Sequence, residues 1–128
     1  MRLLLDTCTF LWVIAGSTEL SARSRELVSD PGNDVYLSVV SAWEISVKHA
    51  LGRLPLPEPL RRFLPHQRTR HGIQSLPLEE EAVLHLLRLP EYHKDPFDRM
   101  LVCQAIAHGL AVLTPDPAIA QYPVRTVW

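Results

Sequence analysis

The sequence has few cysteines and lacks the common metal-binding spacings. Cys8 and Cys103 show no CxxC or CxxH pattern, and the six histidines form no HExxH motif. We therefore expect both thiols to be free and structural, and we expect no zinc site. No apolar run approaches the ~18 residues that a membrane span needs. The first residues, MRLLLD, reach a charge too early for a secretory leader, which predicts a cytoplasmic protein.

Glycine-rich phosphate-binding loops are also missing. Neither GxxxxGK[ST] nor GxGxxG occurs, so any phosphate group would have to be bound in another way. The composition is 47% hydrophobic and 21% charged, which is typical of a globular protein rather than a disordered one. No repeat or low-complexity tract divides the chain, so residues 1–128 are predicted to form one domain.

The net charge of −1 argues against a broad nucleic-acid footprint, but the charge is unevenly distributed. Residues 52–71 carry five arginines and one acid, a local charge of +4, which leaves −5 for the other residues. A basic segment beside acidic clusters suits a metal-dependent enzyme acting on a polyanion, and a solvated helix face explains it equally well. The arginines that we consider as contacts are Arg61, Arg62, Arg68 and Arg70.

Short β-prone runs alternate with helical patterns along the chain, which predicts a mostly parallel sheet covered on both faces. The predicted strands are Arg2–Leu5, Val35–Ser38, Ile73–Leu76, Ala111–Leu113 and Val124–Trp128. The predicted helices are Thr7–Ala15, Ser21–Asp30, Val40–Leu51, Leu78–Leu87 and Pro96–Ala107, with one further turn over Ala118–Tyr122. Pro65 is expected to interrupt the helix that Leu60 begins. In the third helix Val40, Trp43, Val47 and Leu51 share one apolar face, and Glu44 lies beside it.

The segment HKDPFDRMLVCQAIA, residues 93–107, predicts a loop that becomes a buried helix. Pro96 suits the first helical position, which places Asp95 at the N-cap and Asp98 in the first turn, near the positive end of the helix dipole. Capping alone accounts for Asp95. Asp98 is different, because three other acids are expected to reach the same edge of the sheet.

Asp6 and Asp116 both follow short apolar strands, and the carboxyl ends of parallel strands share the edge at which α/β folds bind ligands. Asp98 begins a helix that leads into a strand, and Glu44 lies one turn into another helix, so both belong near that edge. Crowded carboxylates repel one another unless a cation compensates them, and Mg²⁺ or Mn²⁺ prefers such oxygen ligands. The chemistry that this arrangement indicates is phosphodiester hydrolysis.

Each acid also has an ordinary structural explanation. Asp6 could cap the first helix, Glu44 could pair with Lys48 at i+4, and Asp116 could form the turn in TPDP. A phosphatase would also place an aspartate after its first strand, but its DxDx[TV] motif is missing here. A non-catalytic binding module remains the other alternative.

Four stretches, in this order, resemble PIN-domain ribonucleases, and in particular the VapC-type toxins of bacterial toxin–antitoxin pairs. They are LLLDTCTFLW, VYLSVVSAWEISVKHALGRL, HKDPFDRMLVCQAIAHGL and AVLTPDPAIAQYPVRTVW. The resemblance implies a three-layer α/β/α PIN-like fold with a four- or five-stranded parallel sheet. It also implies Mg²⁺ or Mn²⁺ as cofactor and cleavage of structured RNA such as transfer RNA. The implied partners are a VapB-type antitoxin and a second copy of the chain.

The acids of that family fall on Asp6, Glu44, Asp98 and Asp116, as metal ligands and catalytic residues. Asp95 becomes an accessory residue or a cap. Thr7 and Ser41 could orient water or phosphate, although capping and packing explain their hydroxyls equally well. Arg99 could touch phosphate or form a surface pair. Cys8 stands where many relatives carry histidine, which leaves the role of that position open.

Overall fold

The computed structural model describes all 128 residues and contains one fully parallel sheet. Its strands are β1 (Arg2–Leu5), β2 (Asp34–Ser38), β3 (Ile73–Leu76), β4 (Ala111–Leu113) and β5 (Thr126–Val127). The strand order is β3-β2-β1-β4-β5, so β1 lies in the centre with β2 and β4 on either side. Because all strands point the same way, their carboxyl ends form one edge, as predicted.

Seven helices connect and cover the strands. They are α1 (Thr7–Ala15), α2 (Ala22–Ser29), α3 (Val39–Ala50), α4 (Leu60–His71), α5 (Glu80–His85), α6 (Pro96–His108) and α7 (Pro117–Ala120), with a 3-10 turn over Leu86–Arg88. α1 ends at Gly16, which adopts a left-handed conformation that glycine takes without strain. None of the helices is long and apolar enough to cross a membrane.

The sheet is covered on both faces, because side chains of β1 alternate between two apolar cores. Leu4 packs on one side with residues of α6 such as Leu101 and Ala105. Leu3 and Leu5 pack on the other side, with α1, α3 and α4. All three leucines are fully buried, and each contributes ~1.5–3 kcal/mol by leaving water. The predicted three-layer α/β/α arrangement is confirmed, with five strands.

Three of the four residues in the predicted apolar stripe of α3 face solvent instead of the core. Trp43, Val47 and Leu51 are 57%, 38% and 61% exposed. The residues that α3 buries are Val40, Ser41, Glu44 and Ile45. The buried side of α3 therefore lies beside the predicted apolar stripe, and it includes two polar side chains, Ser41 and Glu44, that face the carboxyl edge of the sheet.

Other boundaries differ from the predictions in smaller ways. Pro65 does not interrupt α4, which is continuous over Leu60–His71. Pro65 is exposed, and because proline has no backbone N–H, only the hydrogen bond to the carbonyl of Arg61 is lost. Phe63 and Leu64 are buried and anchor the helix in the core. α5 and β5 are shorter than predicted. Cys103 is buried, as a structural thiol should be, but Cys8 is exposed and does not belong to the core.

Candidate active site

Asp6 lies at the carboxyl end of the central strand, next to the end of β4. The register pairs Leu5 with Leu113, so the residues that follow them, Asp6 and Thr114, become neighbours. The hydroxyl of Thr114 donates a hydrogen bond to Oδ2 of Asp6. Oδ1 accepts the backbone N–H of Thr9 at 2.7 Å, which makes Asp6 the N-cap of α1.

This carboxylate is 5% exposed, and its surroundings act on its charge in opposite directions. Burial raises the pKa of Asp6 above its ordinary value, and the negative charge of Asp116 raises it further. The hydrogen bonds from Thr114 and Thr9 oppose that rise. Asp6 is therefore a capping residue and also a buried acid within the electrostatic reach of a second acid.

Glu44 reaches the same edge from the second turn of α3. Its Oε1 accepts a hydrogen bond from the hydroxyl of Thr7 at 2.7 Å, and Oε2 lies 2.6 Å from Nζ of Lys48. The hydroxyl of Ser41 lies 2.9 Å from that of Thr7. Because the proton of Thr7 points to the carboxylate, Ser41 is the donor in this last pair. Glu44 is 5% exposed, so both of its oxygens are held inside the fold.

Asp98 lies in the first turn of α6, beside the residue that caps this helix. Oδ1 of Asp95 accepts the backbone N–H groups of Phe97 and Asp98, as the sequence predicted. Nε2 of His93 lies 3.3 Å from Oδ2 of Asp98. Asp95 itself is exposed, whereas Asp98 is half-buried.

The pKa of Asp98 is raised to about 6, and burial is the largest cause. Negative charge at Asp95, Asp116 and Glu44 raises it further, and the contact with His93 opposes the rise. The acid of α6 is thus influenced by its neighbour Asp95 and by carboxylates from two other parts of the chain, Glu44 of α3 and Asp116 before α7. This influence is consistent with acids that lie at the same edge of the sheet.

Asp116 completes the set as the N-cap of α7. Its Oδ1 accepts the backbone N–H of Ala118 at 2.9 Å, and its own N–H donates to the hydroxyl oxygen of Thr114 at 3.0 Å. Thr114 therefore binds Asp6 and Asp116 at once. Asp6 and Asp116 do cap helices, and Glu44 does pair with Lys48. These structural roles are compatible with the shared edge, because the same contacts hold the carboxylates there.

One nitrogen of the Arg99 guanidinium is engaged within the protein. It donates to the carbonyl of Pro90 at 2.8 Å and to the hydroxyl of Tyr122 at 3.1 Å. Tyr122 is buried and also lies 2.7 Å from Nδ1 of His93. Arg99 therefore fixes the loop before α6, and through Tyr122 it orients the histidine that contacts Asp98.

The four arginines of α4 do not form a single strip. Arg68 lies seven positions after Arg61 and shares its side, whereas Arg70 lies about half a turn away around the helix. α4 leads into β3 and runs back along the sheet, so its first turn, with Arg61 and Arg62, lies toward the carboxyl edge. Arg70 lies toward the opposite edge. Only Arg68 is partly buried; the other three are exposed.

Sequence reasoning assigned no role to Thr114 or Tyr122. Thr114 could have been found, because it occupies the same position after β4 that Asp6 occupies after β1. His93 was noted beside the central acids, but its contact with Asp98 depends on the fold of the loop before α6. No local signal marks Tyr122, which lies 29 positions after His93 in the sequence.

The donor chemistry of this edge suits a hard divalent cation. The acids supply carboxylate oxygens, the ligands that Mg²⁺ and Mn²⁺ prefer, and the pKa values of Asp6 and Asp98 are raised mainly by burial and further by neighbouring carboxylates. The side chains do not converge on one point: no three His, Cys, Asp or Glu residues form a ready-made metal cluster. The residues fit an ion by charge and chemistry, at an open edge rather than in a closed cage.

Comparison with known protein families gives a result that is consistent with this fold and site. The PIN domain family model matches residues 3–124. The chain therefore belongs to the PIN domain family.

Known proteins extend this result. The chain is 37% identical over 63 residues to Ribonuclease VapC16 of Mycobacterium tuberculosis (strain ATCC 25618 / H37Rv). The match spans 49% of this chain and less than half of that relative, 45% of its length.

Two solved structures share the fold. One is VapBC2 from Rickettsia felis bound to a DNA fragment from their promoter, with a TM-score of 0.75 at 14% identity over 99% of this chain and 98% of that one. The other is FitAcB from Neisseria gonorrhoeae, with a TM-score of 0.63 at 20% identity over 98% and 96%. At these identities the likeness concerns the fold alone.

Proposed function

We propose that this protein is a divalent-metal-dependent endoribonuclease and the toxin component of a toxin–antitoxin system. It would hydrolyse phosphodiester bonds in RNA, with transfer RNA or other structured RNA as the substrate class, in the cytoplasm. The single observation that carries the proposal is the placement of Asp6, Glu44, Asp98 and Asp116 at one carboxyl edge of the sheet, and the raised pKa of Asp98 supports it. The likeness to a relative named as a ribonuclease supports RNA as the substrate.

Asp6, Asp98, Asp116 and Glu44 would hold Mg²⁺ or Mn²⁺, directly or through water. A divalent ion supplies Lewis acidity and an activated water at such a site. Thr7 holds Oε1 of Glu44, which leaves this carboxylate oriented toward the edge to position water. Thr114 holds Asp6 and Asp116 in register, and His93 orients Asp98. Asp95 and Ser41 act as accessory residues through these contacts.

Two apolar surfaces support the proposed partners. A groove of about 390 Å³ lies between α1, the loop before α4 and α4, and its lining includes Leu11, Ile14, Leu54, Leu56 and Phe63. An apolar segment of a VapB-type antitoxin would fit this groove, with Arg61 and Arg62 near one end of α4. The exposed stripe of α3 is large enough in apolar side chains to favour a homodimer or a toxin–antitoxin hetero-oligomer.

A non-catalytic PIN-like module that binds RNA or the antitoxin would use the same surfaces. Such a module has no need for four acids at one buried edge, since unpaired carboxylates there weaken both folding and RNA binding. The retained acids therefore favour catalysis.

The test is incubation of the pure full chain with total RNA, with and without Mg²⁺ or Mn²⁺, followed by mapping of new RNA ends. We expect metal-dependent cleavage that Asp6→Ala and Asp98→Ala each reduce by about 10³-fold or more. Asp34→Ala is the matched control, because Asp34 is an exposed acid at the opposite end of β2 and should leave cleavage unchanged. If both edge variants cut at the wild-type rate, the proposed site is wrong.

A further inference from the structure

Glu44 is the one acid of the edge that already has a strong cation beside it. Nζ of Lys48 lies 2.6 Å from Oε2, one helical turn further along α3. The side chain of Glu44 is 7% exposed, whereas that of Lys48 is 44% exposed. The buried carboxylate therefore depends on an ammonium group that can itself return to water by rotating its flexible side chain.

The ammonium group also lies within the field of other groups at the edge. The hydrogen bond to Glu44 raises the pKa of Lys48, and the negative charge of Asp95 on α6 raises it further. Lys48 is thus a positive charge on α3 whose ion-pair partner is Glu44 of the same helix. The other basic contact of the acids, His93, is longer, at 3.3 Å.

We propose that Lys48 is a built-in counter-ion of the metal-free site, which a divalent ion must displace from Glu44. This inference rests on the proposed function. Both oxygens of Glu44 are engaged, one by Thr7 and the other by Lys48. A divalent ion that approaches Oε2 meets a like charge at hydrogen-bonding distance from the same oxygen, and the two cations repel. Because Lys48 belongs to the same helix as Glu44, its effective concentration beside Oε2 is the same at every metal concentration.

The experiment is a titration of the full chain with MnCl2, with free Mn²⁺ measured by electron paramagnetic resonance and heat by calorimetry. We expect Lys48→Met to bind Mn²⁺ about fivefold more tightly or better. Lys94→Met is the matched control, because it removes the same charge beside Asp95 from a side chain that makes no ion pair. Its affinity should remain within about twofold of wild type.

A second variant separates contact from folding. Lys48→Arg keeps the charge and can still pair with Glu44, so we expect an affinity close to that of wild type. Equal or weaker Mn²⁺ binding by Lys48→Met, or equal tightening by Lys94→Met, would overturn the counter-ion role.

Asp98→Ala distinguishes this failure from failure of the proposed function. If wild type binds Mn²⁺ and Asp98→Ala weakens it while Lys48→Met has no effect, only the counter-ion inference is wrong. If no variant binds Mn²⁺, the metal site and the inference fail together.

Discussion

The inner pair of acids, Asp6 and Glu44, differs from the outer pair, Asp95 and Asp98, in the number of hydrogen bonds that stabilise the carboxylates. Each inner carboxylate is 5% exposed and has both oxygens hydrogen-bonded. Threonine hydroxyls contribute to both. Hydrogen bonds from the scaffold therefore oppose the cost of burying the inner charges, and burial still raises the pKa of Asp6.

The outer pair receives much less help. Asp95 uses one oxygen to cap α6, and Asp98 has a single side-chain contact, with His93 at 3.3 Å. The pKa of Asp98 is accordingly raised to about 6, mainly by burial and then by Asp95. The difference teaches that the scaffold supplies hydrogen bonds to both oxygens of each inner acid, while Asp98 of the outer pair carries repulsion that a proton or a cation relieves.

The largest effect on stability should come from removing the hydrogen bond between Thr7 and Glu44, one acid of the inner pair. Thr7→Val keeps the shape of the side chain but removes the hydrogen bond to Glu44, and we expect a loss of about 2 kcal/mol in the free energy of unfolding. Thr9→Val is the matched control on the same helix, because the buried hydroxyl of Thr9 has no hydrogen-bond partner. It should be neutral or slightly stabilising. Urea denaturation at pH 7 measures both, and equal losses would remove the distinction between the pairs.

At the outer pair we expect a substitution to raise the free energy of unfolding rather than lower it. The folded protein binds the proton of Asp98 more tightly than the unfolded chain, because the pKa rises from 3.8 to about 6. This acid therefore lowers stability progressively as pH rises from about 4 through about 6, and the loss is complete above that range. Asp98→Asn should raise the stability of the metal-free protein at pH 7 by about 1 kcal/mol, below the ceiling of about 3 kcal/mol set by the shift.

Urea titrations of wild type and Asp98→Asn at several pH values between 4 and 7 test this. The difference in the free energy of unfolding between the two proteins should increase as pH rises and approach zero toward pH 4. A difference that is constant with pH would show that Asp98 is not the group that titrates.

The smallest effect extends the comparison from the acids to the arginines. Arg61 lies on the turn of α4 toward the acidic edge, and Arg70 lies toward the opposite edge. In an Asp98→Ala background, which under the proposed function should bind RNA without cutting it, Arg61→Ala should weaken RNA affinity by about 2–5-fold and reduce the salt dependence of binding by about one ion. Arg70→Ala should have no measurable effect. Equal losses would indicate that α4 contributes only general positive charge.

Most of the fold could be predicted from local sequence signals. β1, α1 and the start of α6 were predicted to the residue, because apolar runs, caps and Pro96 specify them locally. The carboxyl edge followed from the alternation of strands and helices, since parallel strands end together. Pro65 misled because the burial of Phe63 and Leu64 outweighs one lost hydrogen bond.

The site was harder to predict where it departs from local rules. In α3 the apolar pattern favours Trp43 and Val47, yet the fold buries Ser41 and Glu44, since they serve the edge and not the core. Contacts such as Tyr122 with His93 exist only once distant loops have met. Local patterns carry no information about such pairs.

The position of β4 beside β1 has a consequence for synthesis. Thr114 and Asp6 are hydrogen-bonded although they are 108 positions apart in the chain. A ribosome must therefore release the chain through β4 before Thr114 can reach Asp6, so a nascent polypeptide that stops earlier cannot form this hydrogen bond. The carboxyl edge of the sheet is thus assembled from segments that are synthesised far apart in time.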